Sequence, residues 1–360
     1  MSTPVCTSTT QAVSASPAAF PLDQWYVAGL SHEVSDKPLA RTLLNQAIVL
    51  FRTGDGQVAA LEDRCCHRSL PLSCGTVEGN GVRCGYHGML YAPNGVCLEI
   101  PGQERIPPKA KVRAYEIREK DHILWIWMPK EAGAPPSQEP PDYPHHTDAR
   151  YKYGSGVYHY QAPYQLIHDN LLDLSHIGYV HQQTIGGNAA VHMQAKTQVS
   201  SDDRSVRAVR LLPGSTPPPA YTAFWPFGDT CDRWQEIEFH ISYLSIWTGA
   251  LEPGTGALDD PGRGGLHTRG FHGVTPETET TSHYIWTMAV NRHPDMPDSI
   301  DPVIRGTKHT FEEDRAVLEA QYRNMLRFNG RNDWIDIHVD AAPNRARRII
   351  AALLEDNGKP

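Results

Sequence analysis

From Trp25 to about Met128 the chain runs through short apolar segments separated by turn residues, a pattern that predicts β-strands. Ala47–Arg52 and Gln57–Leu61 flank Thr53-Gly54-Asp55-Gly56, which predicts a hairpin. Tyr91-Ala92-Pro93-Asn94-Gly95-Val96 carries a second turn with Asn-Gly at its tip, and Ile123–Trp127 reads as a buried strand. The pattern then stops. Pro129 to Pro144 contains six prolines, with Gly, Ser, Gln and Glu between them. Such a segment joins neither a sheet interior nor a helix, so it marks a domain boundary.

Beyond the boundary both periods occur. Tyr164 to His181 places Leu166, Ile167, Leu171, Leu174 and Ile177 at helical spacing. Alternating segments around Val206–Leu212, Glu236–Ile246, Leu266–Val274 and His283–Val290 predict a sizeable antiparallel sheet. Two helices, near Val303–Phe328 and Trp334–Leu354, close the chain, and there is no internal repeat. The expected organisation is a disordered tail over 1–20, an all-β domain over 21–130, a Pro-rich linker over 131–150 and an α+β domain over 151–360. A length of 360 residues fits two domains.

Composition narrows the function. A formal charge of −8 argues against a nucleic-acid partner but leaves room for an acidic surface that docks a basic redox protein. Apolar runs such as His122–Met128 have strand length and are too short to span a bilayer. The first twenty residues lack Lys, Arg and a continuous apolar core, so they resemble neither a signal nor a transit peptide, and a cytoplasmic location is expected. Seven cysteines, three of them (Cys65, Cys66, Cys74) within ten residues, point to metal before disulfides.

The first chemical constellation is Cys65-Cys66-His67-Arg68 followed by Cys84-Gly85-Tyr86-His87-Gly88. Each pair brings one thiolate and one imidazole, and the sixteen residues between the pairs suffice for a hairpin that returns the second loop beside the first. Two Cys and two His can bind zinc, or a [2Fe–2S] cluster with thiolates on one iron and imidazoles on the other. Neutral imidazoles raise the potential of such a cluster by several hundred millivolts over an all-Cys centre. Gly75, Gly85 and Gly88 flank the site and would let backbone N–H groups approach sulfur.

The second constellation is Asn170, Asp173, His176 and His181. The first three recur every three residues and would share one helix stripe. Five residues separate His176 from His181, which on an ideal helix leaves them some 140° apart. One metal could hold both only if the helix bulges or ends between them, and Gly178 lies in that interval. Two histidines and one carboxylate form the facial triad of non-haem Fe(II) oxygenases. The carboxylate must come from elsewhere, and spacing alone leaves Glu312, Glu313 and Asp314 open.

The pattern Cys-x-His-Arg-x-x-Pro-Leu-Ser-x-Gly, then Cys-x-Tyr-His-Gly, closely resembles the Rieske signature. Members commonly have Pro at the first x, where this chain has Cys66; Cys66 and Cys74 are read as extra, packing thiols. With the second constellation, the chain resembles the oxygenase subunits of Rieske non-haem iron systems, in the branch that includes vanillate O-demethylase and dicamba monooxygenase. Trp25-Tyr26-Val27-Ala28, His267-Thr268-Arg269-Gly270-Phe271-His272 and Thr275-Pro276-Glu277-Thr278 also look like that branch. The resemblance implies a β Rieske domain, then a helix-grip-like catalytic domain of antiparallel sheet and helices. It implies a [2Fe–2S] cluster on Cys65, His67, Cys84 and His87, and Fe(II) on His176, His181 and Asp314. Asp314 is chosen because Glu313-Asp314, an apolar stretch and Glu319-Ala320-Gln321 look like the third-ligand helix of the family.

Further implications are a head-to-tail trimer, with His87 of one subunit hydrogen-bonded to Asp173 of the next and Asp173 holding His176; Asp173 and Asn170 are the candidate catalytic residues. Ser245, Trp247 and His272 are the candidate substrate residues by resemblance; His267 and His272, five apart on a strand, face opposite sides. Arg269, Arg292 and Arg305 could pair with a substrate carboxylate, although a solvated or structural role suits each. The implied activity is monooxygenation of an aromatic compound, O-demethylation or hydroxylation, with O₂ as co-substrate. Electrons would come from NAD(P)H through a ferredoxin-type or flavin/iron–sulfur reductase. Ring cis-dihydroxylation is the rival outcome; an electron-transfer protein without oxygenase chemistry and a zinc-stabilised binding module are the other classes.

Overall fold

The computed structural model describes residues 20–186, 189–222, 225–293, 295, 300–331 and 333–357. The tail expected over 1–20 lies outside them except for Phe20. The chain divides into two compact units: the described residues up to Asp142 with Pro276–Glu279 and Asn357, and 143–275 with 280–356.

The first unit is built from eleven short strands in three sheets. One sheet has the order β1 (Gln24–Leu30), β11 (Ile123–Met128), β10 (Ile117–Lys120). Both β1 and β11 are buried along their whole length, which explains why β11 reads as a continuous apolar run rather than an alternating one. A second sheet orders β2 (Leu39–Leu43), β3 (Gln46–Arg52), β4 (Val58–Glu62) and β9 (Ala114–Tyr115). A third, smaller one orders β5 (Thr76–Glu78), β6 (Gly81–Arg83), β7 (Leu90–Tyr91) and β8 (Cys97–Glu99). Both hairpins expected from turn residues form, as β3–β4 and β7–β8. Val49, Phe51, Leu61, Leu72 and Tyr91 pack one core, and the two Cys/His loops leave it between β4 and β5 and between β6 and β7.

The second unit is a seven-stranded sheet with helices. Its strands are β12 (Tyr151–Tyr160), β13 (Thr197–Ser201), β14 (Val206–Ser215), β15 (Cys231–His240), β16 (Tyr243–Leu251), β17 (Leu266–Pro276) and β18 (Ser282–Asn291). The spatial order is β12-β18-β17-β16-β15-β14-β13, and the β12–β18, β13–β14, β14–β15, β15–β16 and β16–β17 pairs are antiparallel. The helices are α1 (Tyr164–Leu172), α2 (Ile177–Val180), α3 (Ala189–Gln194), α4 (Pro219–Thr222), α5 (Asp301–Arg327) and α6 (Ala341–Asn357). Helix α5 is fixed to the sheet by two hydroxyls of β12, Tyr158 donating to the Lys308 carbonyl and Tyr160 to that of Phe311, both at 3.1 Å. The Phe311 ring fits edge-on among His272, Tyr284 and Trp286.

Three sequence expectations need correcting. Glu236–Ile246 is two strands, β15 and β16, joined at Ile241-Ser242. Ile237, Phe239, Ile241, Leu244 and Ile246 are all buried, so apolar alternation continues through a turn that has no Gly, Pro or Asn to announce it. The last helix begins at Ala341 rather than Trp334. Asp340 accepts the Ile337 N–H at 2.6 Å just before the start, and Pro343 sits in the first turn, where its missing N–H costs nothing. Third, the helix expected over Tyr164–His181 breaks at Asp173, with consequences for the site. No helix among the described residues is long and apolar enough to cross a membrane.

Candidate metal centres and substrate cavity

Two one-turn loops shape the first site. The Ser69 N–H donates to the Cys65 carbonyl and the Cys65 N–H to that of Leu70, both at 2.9 Å. The Gly88 N–H donates to the Cys84 carbonyl at 3.1 Å, and the Cys84 N–H to that of Met89 at 2.8 Å. Asp63 anchors the first loop from behind, accepting the Ser73 N–H and hydroxyl at 2.7 and 2.6 Å. The loops meet because Gly75 has no side chain: a Cβ there would lie 2.0 Å from the Arg83 carbonyl oxygen.

Within this pair of loops the thiols of Cys65 and Cys84 are buried, whereas His67 and His87 are exposed, their ring centroids 4.5 Å apart. Burial would raise both thiols. Hydrogen bonds from Tyr91 and from backbone amides overcome that at Cys65 and lower it; at Cys84 burial and the neighbouring Cys65 prevail and raise it. The Tyr91 hydroxyl lies 3.2 Å from both Cys65 Sγ and Cys66 Sγ. Two buried thiols and two exposed imidazoles suit a two-iron cluster, which Cys65 and Cys84 would hold through one iron and His67 and His87 through the other. Cys66 is exposed and so is not the packing residue expected from sequence.

The second site begins where α1 ends. Asp173 leaves helical geometry (φ −116°, ψ 94°) and starts a tight turn, Leu174–His176, before α2. Asn170, Asp173 and His176 therefore do not form a continuous stripe. The Asp173 carboxylate turns to its own segment, accepting the Ser175 N–H at 2.8 Å and hydroxyl at 3.0 Å. His176 Nδ1 meets the backbone carbonyl of Asp173 at 2.6 Å; a carbonyl only accepts, so Nδ1 carries the proton and Nε2 is a free ligand. Gly178 does not break the chain but packs it, since a Cβ there would meet Ala189 Cα at 2.4 Å.

Helix α5 supplies the carboxylate. Asp314 Oδ1 lies 3.1 Å from His181 Nε2 and 3.4 Å from His176 Nε2, and the potential ligand atoms of all three residues fall within 4.8 Å of one another. Asn170 donates to the same Asp314 oxygen at 3.0 Å. Burial alone would raise Asp314; when the two imidazoles are protonated, their hydrogen bonds and charge hold it well below the usual carboxylate range. The neighbours on α5 point elsewhere. Glu312 pairs with Arg315 at 2.6 Å, and Glu313 accepts from His181 Nδ1 at 2.8 Å, directing His181 Nε2 at Asp314. Glu313 had no signal in the sequence beyond standing next to Asp314. Two neutral imidazole nitrogens and one carboxylate converging on one point fit a facial iron triad.

The triad opens into a cavity of about 350 Å³. Alternate residues of the sheet form one wall: Arg233 and Gln235 of β15, Ile246 and Thr248 of β16, Leu266 and Thr268 of β17. His272 continues that row and donates or accepts at Nδ1 with the Tyr284 hydroxyl at 2.7 Å. Strand alternation places Ser245 and Trp247 on the opposite face, contrary to their expected substrate role. There Trp247 donates to His267 at 3.1 Å and lies under Arg269, 3.7 Å from its centroid. Arg292 and Arg305 are exposed and do not line the cavity, so none of the three expected arginines does; Arg233 does.

Comparison with known proteins gives two family matches: the Rieske [2Fe-2S] domain over residues 24–116 and the vanillate O-demethylase oxygenase C-terminal domain over 160–356. The chain is a Rieske-type non-haem iron oxygenase. Among the oxygenase's relatives, the putative toluene-4-sulfonate monooxygenase system iron-sulfur subunit TsaM2 of Comamonas testosteroni is 40% identical, over 93% of this chain and 97% of the relative. A vanillate O-demethylase oxygenase subunit of a Pseudomonas species is 33% identical over 93% and 95%. The crystal structure of dicamba monooxygenase bound to dicamba superposes with a TM-score of 0.83 at 32% identity, covering 93% of the oxygenase and 98% of that chain.

Proposed function

We propose that this oxygenase monooxygenates a small aromatic acid, by O-demethylation or by hydroxylation of a methyl group or ring carbon. The observation that carries the reading is the His176/His181/Asp314 cluster on the wall of a largely apolar cavity with a few polar groups. The names of the relatives, which act on vanillate, dicamba and toluene-4-sulfonate, support an aromatic substrate.

His176, His181 and Asp314 would hold the iron, and Cys65, Cys84, His67 and His87 the cluster. Iron supplies O₂ activation when bound, and the cluster supplies electrons singly. The chain's own residues set the geometry. The Asp173 carbonyl and the Glu313 carboxylate fix the two imidazole tautomers, and Asn170 holds one Asp314 oxygen. Apolar side chains such as Leu171, Ile177 and Phe311 keep water from the ring of a bound substrate. In this proposal electrons come from NAD(P)H through a separate reductase. The working unit is a trimer in which His87 of one subunit meets Asp173 of the next; an isolated monomer would bind both metals and turn over poorly.

The test is a screen of aromatic acids and ethers with reductase and NADH, scoring product against uncoupled NADH oxidation. Coupled formation of phenols or alcohols supports the proposal. Formation of cis-dihydrodiols instead would replace it with ring dihydroxylation, and NADH-driven cytochrome reduction without any product would leave an electron carrier.

A further inference from the structure

A buried charge without a counter-charge is costly, and Arg233 is one. It is 3% exposed, on the cavity wall. Its Nε has no hydrogen-bond partner, and the guanidinium makes no ion pair with a described residue; the Tyr221 ring lies 5.1 Å away, and the nearby groups on which its charge acts include a second cation, Arg210, and His192. Two residues along β15 the wall carries Gln235, also buried. Arg210 donates to Gln235 Oε1 at 2.7 Å. Arginine only donates, so the amide orientation is fixed: Oε1 faces Arg210 and the Nε2 donors remain. A guanidinium and an amide N–H₂ thus stand side by side on a strand face, in the cavity that the iron triad also lines.

We propose that Arg233 and Gln235 form an oxyanion anchor, which binds a carboxylate or sulfonate on the substrate ring and so leaves the opposite end of the ring toward His176, His181 and Asp314. This rests on the aromatic-substrate reading above and deepens it. A planar guanidinium suits either group through paired N–H···O contacts, and its desolvated state makes the neutral analogue of the substrate a poor competitor. Tyr221 keeps the guanidinium in place, its hydroxyl tied to Thr248 Oγ1 at 3.2 Å.

The experiment measures calorimetric binding of benzoate, benzenesulfonate and anisole to the metal-loaded oxygenase, and turnover of 4-methoxybenzoate, toluene-4-sulfonate and 4-methylanisole with reductase. It compares wild type with R233M, R233K and Q235L, using the visible spectrum of the cluster to verify folding. In R233M, binding of the anions weakens by about 30-fold or more and KM for the acids rises likewise, while anisole binds no more weakly than to wild type. R233K recovers part of the loss, and Q235L loses less than R233M. Dependence of benzenesulfonate but not benzoate on Arg233 assigns the anchor to sulfonates, and the reverse to carboxylates. Equal anion affinity in wild type and R233M, or equal loss for anisole, overturns the proposal. The two readings separate: Arg233-dependent anion binding without oxidation of any aromatic sinks the functional reading alone, and coupled oxidation of the acids indifferent to R233M sinks the anchor alone.

Discussion

The Cys65/His67/Cys84/His87 loops and the His176/His181/Asp314 cluster draw their parts from very different distances along the chain. The first is made of two neighbouring loops of small β-sheets, with its imidazoles exposed. The second joins residues 133 apart, and His181 is only 1% exposed. A cluster that accepts electrons from a partner must reach the surface, whereas a site that handles O₂ and substrate must exclude water. The local site is held by turns; the distant one depends on the packing of α1, α5 and the sheet.

That contrast can be broken from both sides. The largest effects come from removing a ligand. C84S is expected to abolish the visible chromophore and, with it, electron input. H176A is expected to keep the chromophore and reduce substrate oxidation to background. Absorption spectra and product assays on the two variants check this, and loss of the chromophore in H176A would show that the sites are not independent.

The next effect sharpens the role of the residues behind the ligands. E313Q removes the carboxylate that orients His181 and is expected to weaken iron about 10- to 100-fold in chelator competition. E312Q, whose side chain pairs with Arg315 instead, should bind iron as wild type does.

Smaller still is a packing effect. G178A forces a methyl against Ala189 and is expected to cost about 1–3 kcal/mol, read as a lower denaturation midpoint, with the Rieske spectrum unchanged before the transition.

Acid provides the last test and the smallest effect at neutral pH. His168 on α1 is wholly buried against Tyr164 and Phe239, and burial, aided by the Arg347 charge, pushes its pKa down to about 3. The unfolded chain titrates near 6.5. Above that value neither state binds the proton and nothing changes. Below it the unfolded chain takes a proton that the folded one refuses, so stability falls as pH drops from about 6.5 toward 3, by up to about 1.4 kcal/mol per pH unit. Melting curves of H168L should show a shallower decline over that window and little difference at pH 7.

The same contrast decides what could be read from sequence. Cys65-x-His67 and Cys84-x-x-His87 are legible because short loops preserve spacing in space. His176 and His181 were legible as a pair, and so was the condition for their convergence: the helix ends between them, α2 stopping at Val180 and His181 leaving helical geometry (φ −110°, ψ 35°). The earlier break at Asp173, a residue that caps its own turn through Ser175, was not legible, because no glycine marks the place. Asp314 stood out only by family likeness, because Glu312, Glu313 and Asp314 project about 100° apart and which one faces the triad is set by packing of Phe311 and by the tyrosine hydroxyls of β12. Ser245 and Trp247 failed because a one-residue difference on a strand selects the opposite face, and the faces are told apart only by what packs on them. Arg233 escaped notice for the same reason.

The alternation of β15 to β17 has a consequence for how such an enzyme changes over time. One set of residues, including Arg233, Gln235, Ile246, Thr248 and Thr268, faces the cavity, while Trp234, Trp247, His267 and Arg269 interlock on the reverse side. On this reading the cavity-facing positions of these strands bear on substrate choice, and the positions that alternate with them bear on architecture. Substitutions in the first set can accumulate under selection for a new compound without disturbing the second, which makes those positions the compact library from which to breed new specificities.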